Sequence, residues 1–199
     1  MGIELWAARL ERPLTERETA AMLRLLPLER RERLEHLRDL EKMREPLCAY
    51  LMLYLALRQE YGWKKLPDMA HSDRGKPWFP DHPEVHFNLS HTSGAVLVGL
   101  SDQPIGVDIE KLRPVSQRAM QRIANASTEQ EFFRSWVRRE ARTKRSGDGI
   151  STMARSETPL QYGEYYYELG TFPGYVAGVA TRSREVPGRV RKYSLDEML

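Results

Sequence analysis

The sequence predicts an α+β fold built from two similar α/β halves. Helical patterns and short strand patterns alternate along 199 residues, a length that supports a sizeable core in one domain or two small ones. The segment GAVLVGL at 94–100 is echoed by GYVAGVA at 174–180, and each follows another strand pattern across a glycine-containing turn. That spacing gives halves of about 80–100 residues, an ordinary domain size; a chance likeness of two glycine- and valine-rich strands is the alternative. With 41% hydrophobic and 30% charged residues the chain has the composition of a soluble globular protein.

Residues 3–8 alternate weakly and predict a first strand. Thr15-Glu16-Arg17-Glu18 is a capping-box pattern, in which the threonine and the glutamate satisfy each other's backbone N–H groups. A helix should open there and run to about Leu26. Pro27 interrupts it. The charged segment from Leu28 to Leu40 has a thin apolar stripe, Leu34 and Leu37, with Arg30, Arg31 and Arg33 on the wet side. Residues 46–60 are apolar nearly all round and predict the central buried helix. Gly62, Pro67, Gly75, Pro77, Pro80 and Pro83 make 62–84 an irregular connection. Val85–Ser90 and Ala95–Leu100 predict a hairpin joined through His91-Thr92-Ser93-Gly94, and a turn at Ser101–Pro104 leads into a strand at Ile105–Glu110. Helices are expected at 116–126 and, capped by Ser127 or Thr128, at about 128–145, ended by Gly147 and Gly149. Strands at about 164–169 and 175–181, then a last one near Arg189–Tyr193, complete the chain.

The net charge of +3, from 31 basic and 28 acidic side chains, is too mild to imply nucleic acid by itself and suits an anionic small molecule or an acidic protein partner. Arg-rich segments at 28–38 and 138–145 raise nucleic-acid binding as a rival, but acidic residues interrupt the first and no nucleic-acid module is visible. The one cysteine, Cys48, excludes an internal disulfide framework, fits a reducing compartment and, in its apolar run, reads as a buried inert thiol. MGIELWAARLERPL has no basic segment followed by an apolar one, so no secretion signal is expected. Trp6 stands where a myristoylation signal needs Ser or Thr, and the run Pro46–Leu57 is too short to span a bilayer. A cytoplasmic protein without membrane association is expected.

Chemistry concentrates in three places. Asp108 and Glu110 stand two apart in the strand pattern GVDIE, so both project from one sheet face while Val107 and Ile109 face the other way. Neighbouring carboxylates repel unless something positive lies between them, a divalent metal or a ring of Arg and Lys. A bare DxE pair is also what a wet edge strand presents. Glu140 and Lys144, four apart, share a helix face with Trp136, and such a helix could deliver both charges into a cleft. A surface ion pair is the bland alternative. Lys76, beside the rigid Pro77, and Ser90-His91, at a strand tip, offer a cation, a hydroxyl and an imidazole; alone they read as a solvated loop charge and turn residues.

Together and in this order, GKP (75–77), FNLSHT (87–92), PIGVDIE (104–110) and WxxxEAxxK (136–144) resemble the Sfp-type 4′-phosphopantetheinyl transferases, the surfactin-synthetase-activating branch. The resemblance extends through ERPLTERE (11–18), LPLERRERLEHL (26–37), the buried helix led by Arg44 and the closing YSLDEML (193–199). It implies a pseudo-dimer of two α/β halves, 1–103 with the coenzyme A nucleotide contacts and 104–199 with the metal carboxylates and catalytic helix, and an active site between them. It implies coenzyme A as co-substrate, Mg²⁺ with Mn²⁺ as a substitute, an acyl or peptidyl carrier protein as partner, and a monomer. Asp108, Glu110 and Glu140 match the metal carboxylates, and Glu140 the base, acting directly or through a metal-bound water. Lys144, one turn on, can stabilise charge on the departing bisphosphate or protonate it. Arg44, Lys76, Ser90 and His91 match coenzyme A contacts, with Arg30 and Arg33 matching more weakly.

Two departures stand out. Arg139 replaces the lysine usual before the catalytic glutamate, and Arg and Lys differ at a close phosphate contact. The segment between Glu110 and Trp136 is shorter than in the surfactin-type enzymes, where it helps receive the carrier. These departures motivate a rival reading, a catalytically degenerate module that binds coenzyme A or a carrier protein without turnover. The retention of three carboxylates argues against it.

Overall fold

Alternating side chains sort the strands of this chain into two sheets that share one apolar layer. The computed structural model describes residues 2–36, 39–147 and 159–199. In chain order these form β1 (Glu4–Arg9), α1 (Glu16–Leu23), α2 (Leu28–Glu35), α3 (Leu40–Tyr61), β2 (Ala70–His71), β3 (Pro77–Trp78), β4 (His86–Thr92), β5 (Ala95–Ser101), β6 (Ile105–Lys111), α4 (Gln117–Ala124), α5 (Glu129–Ser146), β7 (Tyr165–Leu169), β8 (Tyr175–Thr181), β9 (Arg191–Ser194) and α6 (Leu195–Met198). The fold is mixed α/β, as expected. The first sheet has the order β4-β5-β1-β9 and the second β6-β8-β7, with β2 and β3 making a separate two-stranded ribbon in the connection predicted to be irregular.

Leu5, Ala7, Ala95 and Leu97 of the first sheet meet Ile105, Val107, Ile109, Ala177 and Val179 of the second in one buried cluster. The opposite face of the first sheet, Trp6, Ala8, Val96, Val98 and Leu100, packs on α3 through Leu47, Met52, Leu53, Ala56 and Leu57. On the far side of the second sheet, α5 packs Phe132, Phe133 and Val137 near Val176. The layers therefore run helix, sheet, sheet, helix. The echoed segments fall on β5 and β8, each an inner strand of its sheet, β1 being the other inner strand of the first. The last strand, β9, runs parallel beside β1, so the chain's final residues complete the first sheet.

Local chemistry explains the boundaries. Thr15 and Glu18 form the predicted capping box of α1, and Thr128 and Glu131 form another that starts α5. Gly147 closes α5 in the left-handed conformation at φ 75°; Gly149 lies outside the described residues. The central helix begins earlier than expected. Asp39 caps it by accepting from the Glu41 N–H, and Pro46 sits inside rather than at its start. An interior proline removes one backbone bond, and the buried run from Leu47 to Leu53 offsets that loss by packing. The charged helix α2 ends at Glu35. Leu34 is buried, whereas Leu37 lies outside the described residues. Arg30 and Arg31 are less solvated than the sequence predicts. Arg30 lies 4.9 Å over the Tyr50 ring and Arg31 donates to the Leu23 carbonyl.

Candidate active site

The face of β6 that carries Gly106, Asp108 and Glu110 is turned toward α5. Gly106 allows this: a Cβ there would lie 2.1 Å from the Ala141 carbonyl and 2.3 Å from the Arg145 nitrogen. The helix thus rests almost on the strand backbone, and α5 side chains one turn apart reach the carboxylates.

Asp108 is buried. Its Oδ1 accepts from Lys144 Nζ at 2.7 Å and from Ser90 Oγ at 2.7 Å. Lys144 Nζ also donates to Ser90 Oγ at 3.0 Å and lies 3.5 Å from Glu140 Oε2, the expected pair one helical turn apart. These four residues come from β4, β6 and α5 and form one charged knot. Burial, with the Asp108 carboxylate close by, holds Glu140 well above the usual carboxylate range. Burial alone would lower Lys144, but Asp108 and Glu140 outweigh it and hold the ammonium firmly charged.

Glu110 stands beside the knot, accepting from Arg113 Nη1 at 2.8 Å and from Thr92 Oγ1 at 3.2 Å. Among the described residues, no three His, Cys, Asp or Glu side chains converge into a ready metal cluster, because Lys144 fills the space at Asp108 and Arg113 holds Glu110. The donor set nevertheless fits a hard divalent cation. The ligands would be carboxylate oxygens, and Asp108 Oδ2 is buried with no hydrogen-bond donor among the described residues. A buried orphan acceptor is costly unless something positive joins it.

His91 and Arg44 line a cavity of about 470 Å³ together with Lys42, Glu45 and Ser93. The Arg44 guanidinium donates to Glu45 Oε1 at 2.6 Å. Burial and then the Lys144 charge push His91 down. Lys76 is placed differently from a mobile loop charge. Its Nζ donates to the Arg145 carbonyl at 2.9 Å and to the Ile105 carbonyl at 3.1 Å, and burial lowers it to about 8. It thereby ties the end of α5 to the start of β6, at the edge of a second cavity of about 710 Å³ that Trp78, Phe79, Phe87 and Arg182 also line. Arg30 contacts His71 and Arg33 pairs with Glu29 at 3.6 Å on the exposed side of α2; neither lines these two cavities.

Several groups here escaped sequence reasoning. Arg113 on Glu110 is one. Glu164 is another, accepting from Arg142 Nη2 at 2.8 Å and Arg145 Nη2 at 3.3 Å, which binds the segment before β7 to α5. Nothing in a local pattern links 164 to 142. Arg139, beside Glu140, keeps its Nε buried without a hydrogen-bond partner.

A strand presenting two acids to a helix that returns a glutamate and a lysine gathers more acid than base, a set that favours a cation. No protein-family model matches the chain. It is similar to 4′-phosphopantetheinyl transferase Sfp of Bacillus subtilis, 26% identical over 227 residues, which take in 99% of this chain and 100% of the relative. It is similar to 4′-phosphopantetheinyl transferase psf-1 of Bacillus pumilus, 28% identical over 84% of this chain and 73% of the relative. To 4′-phosphopantetheinyl transferase HetI of a Nostoc species it is 31% identical over 79% of this chain and 74% of the relative. The chain belongs to the 4′-phosphopantetheinyl transferases, is of the Sfp type, and is an enzyme of that class.

Proposed function

We propose that this enzyme transfers the 4′-phosphopantetheine group of coenzyme A to a serine hydroxyl of an acyl or peptidyl carrier protein and releases adenosine 3′,5′-bisphosphate. The observation that carries the reading is the junction of Asp108, Glu140, Lys144 and Ser90, where β6 and α5 from the second half of the chain meet β4 from the first. We read residues 1–103 and 104–199 as the two halves of a pseudo-dimer, with the active site between them.

In the reaction the serine oxygen attacks the phosphorus that bears pantetheine, and the bond from that phosphorus to the bridging oxygen of the pyrophosphate breaks. Glu140, ionised when it holds the metal, takes the serine proton. Lys144, permanently charged and held by Asp108, faces the negative charge that builds on the departing bisphosphate. Asp108, Glu110 and Glu140 would hold Mg²⁺, or Mn²⁺ in its place, which would neutralise the pyrophosphate charge. Arg44 and His91 offer donors for the 3′-phosphate from the 470 Å³ cavity. Ser90 gives its one hydroxyl proton to Asp108 and would border the pyrophosphate without donating to it. Lys76 steadies the wall of the nucleotide site through the two carbonyls it binds. Arg30 and Arg33 stand on α2 outside the two cavities and would meet coenzyme A only at its periphery.

Because the two halves lie in one chain, the unit expected to act is the monomer. Among the described residues no helix is long and apolar enough to cross a membrane. The test is incubation of the purified protein with coenzyme A, Mg²⁺ and a panel of apo carriers, read by intact mass of the carrier and by chromatography of the released bisphosphate. A mass increase on one carrier, matched by bisphosphate, supports the reading. No product on any carrier, from folded protein with either metal present, refutes it.

A further inference from the structure

Strand β6 has one edge paired with β8. Its other edge is met by the side chains of β4 rather than by a backbone ladder. Asn88 Oδ1 accepts from the Val107 N–H at 2.8 Å. Ser90 Oγ accepts from the Ile109 N–H at 3.2 Å, and Thr92 Oγ1 from the Lys111 N–H at 3.4 Å. The three side chains stand two residues apart on β4 and their three donors stand two apart on β6. Strand periodicity therefore aims both sets at one seam. The two hydroxyls repeat a second contact in the same register. Ser90 donates to Asp108 at 2.7 Å, and Thr92, one repeat along, donates to Glu110 at 3.2 Å. At the first rung the corresponding β6 residue is Gly106, which has no side chain to bind.

We infer that Thr92 is a positioning residue for Glu110, as Ser90 is for Asp108, and that Asn88 fixes the seam without touching the charged groups. A hydroxyl pinned by a backbone N–H has its lone pair engaged and its proton aimed outward, so each carboxylate receives a hydrogen bond of fixed direction. Without Thr92, Glu110 is left to Arg113, which would draw it from the position beside Asp108. The inference rests on the reading of Asp108, Glu110 and Glu140 as the metal carboxylates.

The test compares Thr92→Val, Thr92→Ser and Asn88→Leu with the wild type. The readouts are Mn²⁺ binding to the free enzyme by electron paramagnetic resonance, Mg²⁺ half-saturation of carrier loading, and thermal melting. Thr92→Val is expected to weaken Mn²⁺ binding and raise the Mg²⁺ requirement by about 10-fold, the usual cost of losing a partner to a metal ligand. Thr92 also borders the cavity of Arg44 and His91, so the decisive readout is Mn²⁺ binding in the absence of coenzyme A, and Thr92→Ser should restore that affinity. Asn88→Leu should lower the melting temperature and leave Mn²⁺ affinity within about twofold. The inference falls if Thr92→Val binds Mn²⁺ like the wild type, if Thr92→Ser fails to restore affinity, or if Asn88→Leu weakens Mn²⁺ as much as Thr92→Val. A wild type that loads carriers beside an unaffected Thr92→Val removes the inference alone. A wild type that neither loads carriers nor binds Mn²⁺ removes the functional reading with it.

Discussion

Gly106→Ala is the smallest change that should separate strand from helix in this enzyme. The added Cβ would sit 2.1 Å from the Ala141 carbonyl oxygen, 2.3 Å from the Arg145 nitrogen and 2.9 Å from the Arg145 Cα. All three are backbone atoms, so no rotamer change relieves them. Even a bare tolerance of 3.0 Å requires α5 to back away by about 1 Å. Overpacking a core typically costs about 1–3 kcal/mol, and a rigid helix backbone puts this case near 3. With a urea slope of about 2 kcal/mol/M, the unfolding midpoint should fall by roughly 1.5 M. The same displacement separates Glu140 and Lys144 from Asp108, and a misplacement of about 1 Å can cost about 100-fold in rate. Urea titration followed by tryptophan fluorescence, with carrier loading under saturating coenzyme A, measures both effects. Gly170→Ala is the control, since nothing lies within 4 Å of its Cβ position, and it should change stability by less than about 0.5 kcal/mol. Wild-type stability and rate in Gly106→Ala would refute the claim that β6 and α5 touch at this point.

Cys48 is fully buried and its burial pushes the thiol up to about 12, so iodoacetamide at pH 8 should leave the native protein unmodified and label it on unfolding; native labelling at the rate of a free thiol would contradict that packing. Glu164→Gln should lower stability by about 3 kcal/mol near pH 7, because Arg142 and Arg145 lose the buried partner between them. Hydrogen bonds and pairing outweigh burial and hold Glu164 below its usual value. Its contribution is therefore complete above about pH 4.3, the unfolded value, and is lost as pH falls through the lower native value. The variant should show a flatter acid limb in pH-dependent urea titrations. Asp108→Ala should reduce transfer by at least about 100-fold with a retained cooperative melting transition, since Glu140 still pairs with Lys144; a normal rate would displace Asp108 from the site.

Periodicity made most of this fold legible. The two-residue alternation of GVDIE correctly put Asp108 and Glu110 on one face, because a strand cannot do otherwise once Val107 and Ile109 are buried. The four-residue interval between Glu140 and Lys144 survived for the same kind of reason. Capping boxes and the left-handed Gly147 set helix ends that local chemistry can specify. The start of α3 was less legible, since Pro46 reads as a helix opener whereas packing of the following buried residues carries the helix across it. Lys76 matches a coenzyme A contact by resemblance, and alone it reads as a solvated loop charge; the two carbonyls that bind it come from 105 and 145, and no local pattern announces them. The Asn88, Ser90 and Thr92 alternation was on the page as FNLSHT, but its meaning depends on a neighbouring strand edge that only the tertiary structure supplies.

Strand β6 is constrained on every side, and that explains how a marginal motif becomes a defined site. Its backbone pairs with β8 on one edge and with β4 side chains on the other. Its apolar face lies against the first sheet, where Gly99 lets Val107 and Ile105 approach: a Cβ at Gly99 would meet them at 2.8 and 2.9 Å. Its acidic face lies under α5. A slip of one residue would turn Asp108 and Glu110 into the apolar layer between the sheets and send Val107 and Ile109 toward Lys144. Burying two unpaired carboxylates there is prohibitive unless they become neutral, so the alternative registers are excluded by the same acids that serve the chemistry. The site and the fold are thereby coupled: the carboxylates help select the register, and the register brings Asp108 to Ser90, Lys144 and Glu140.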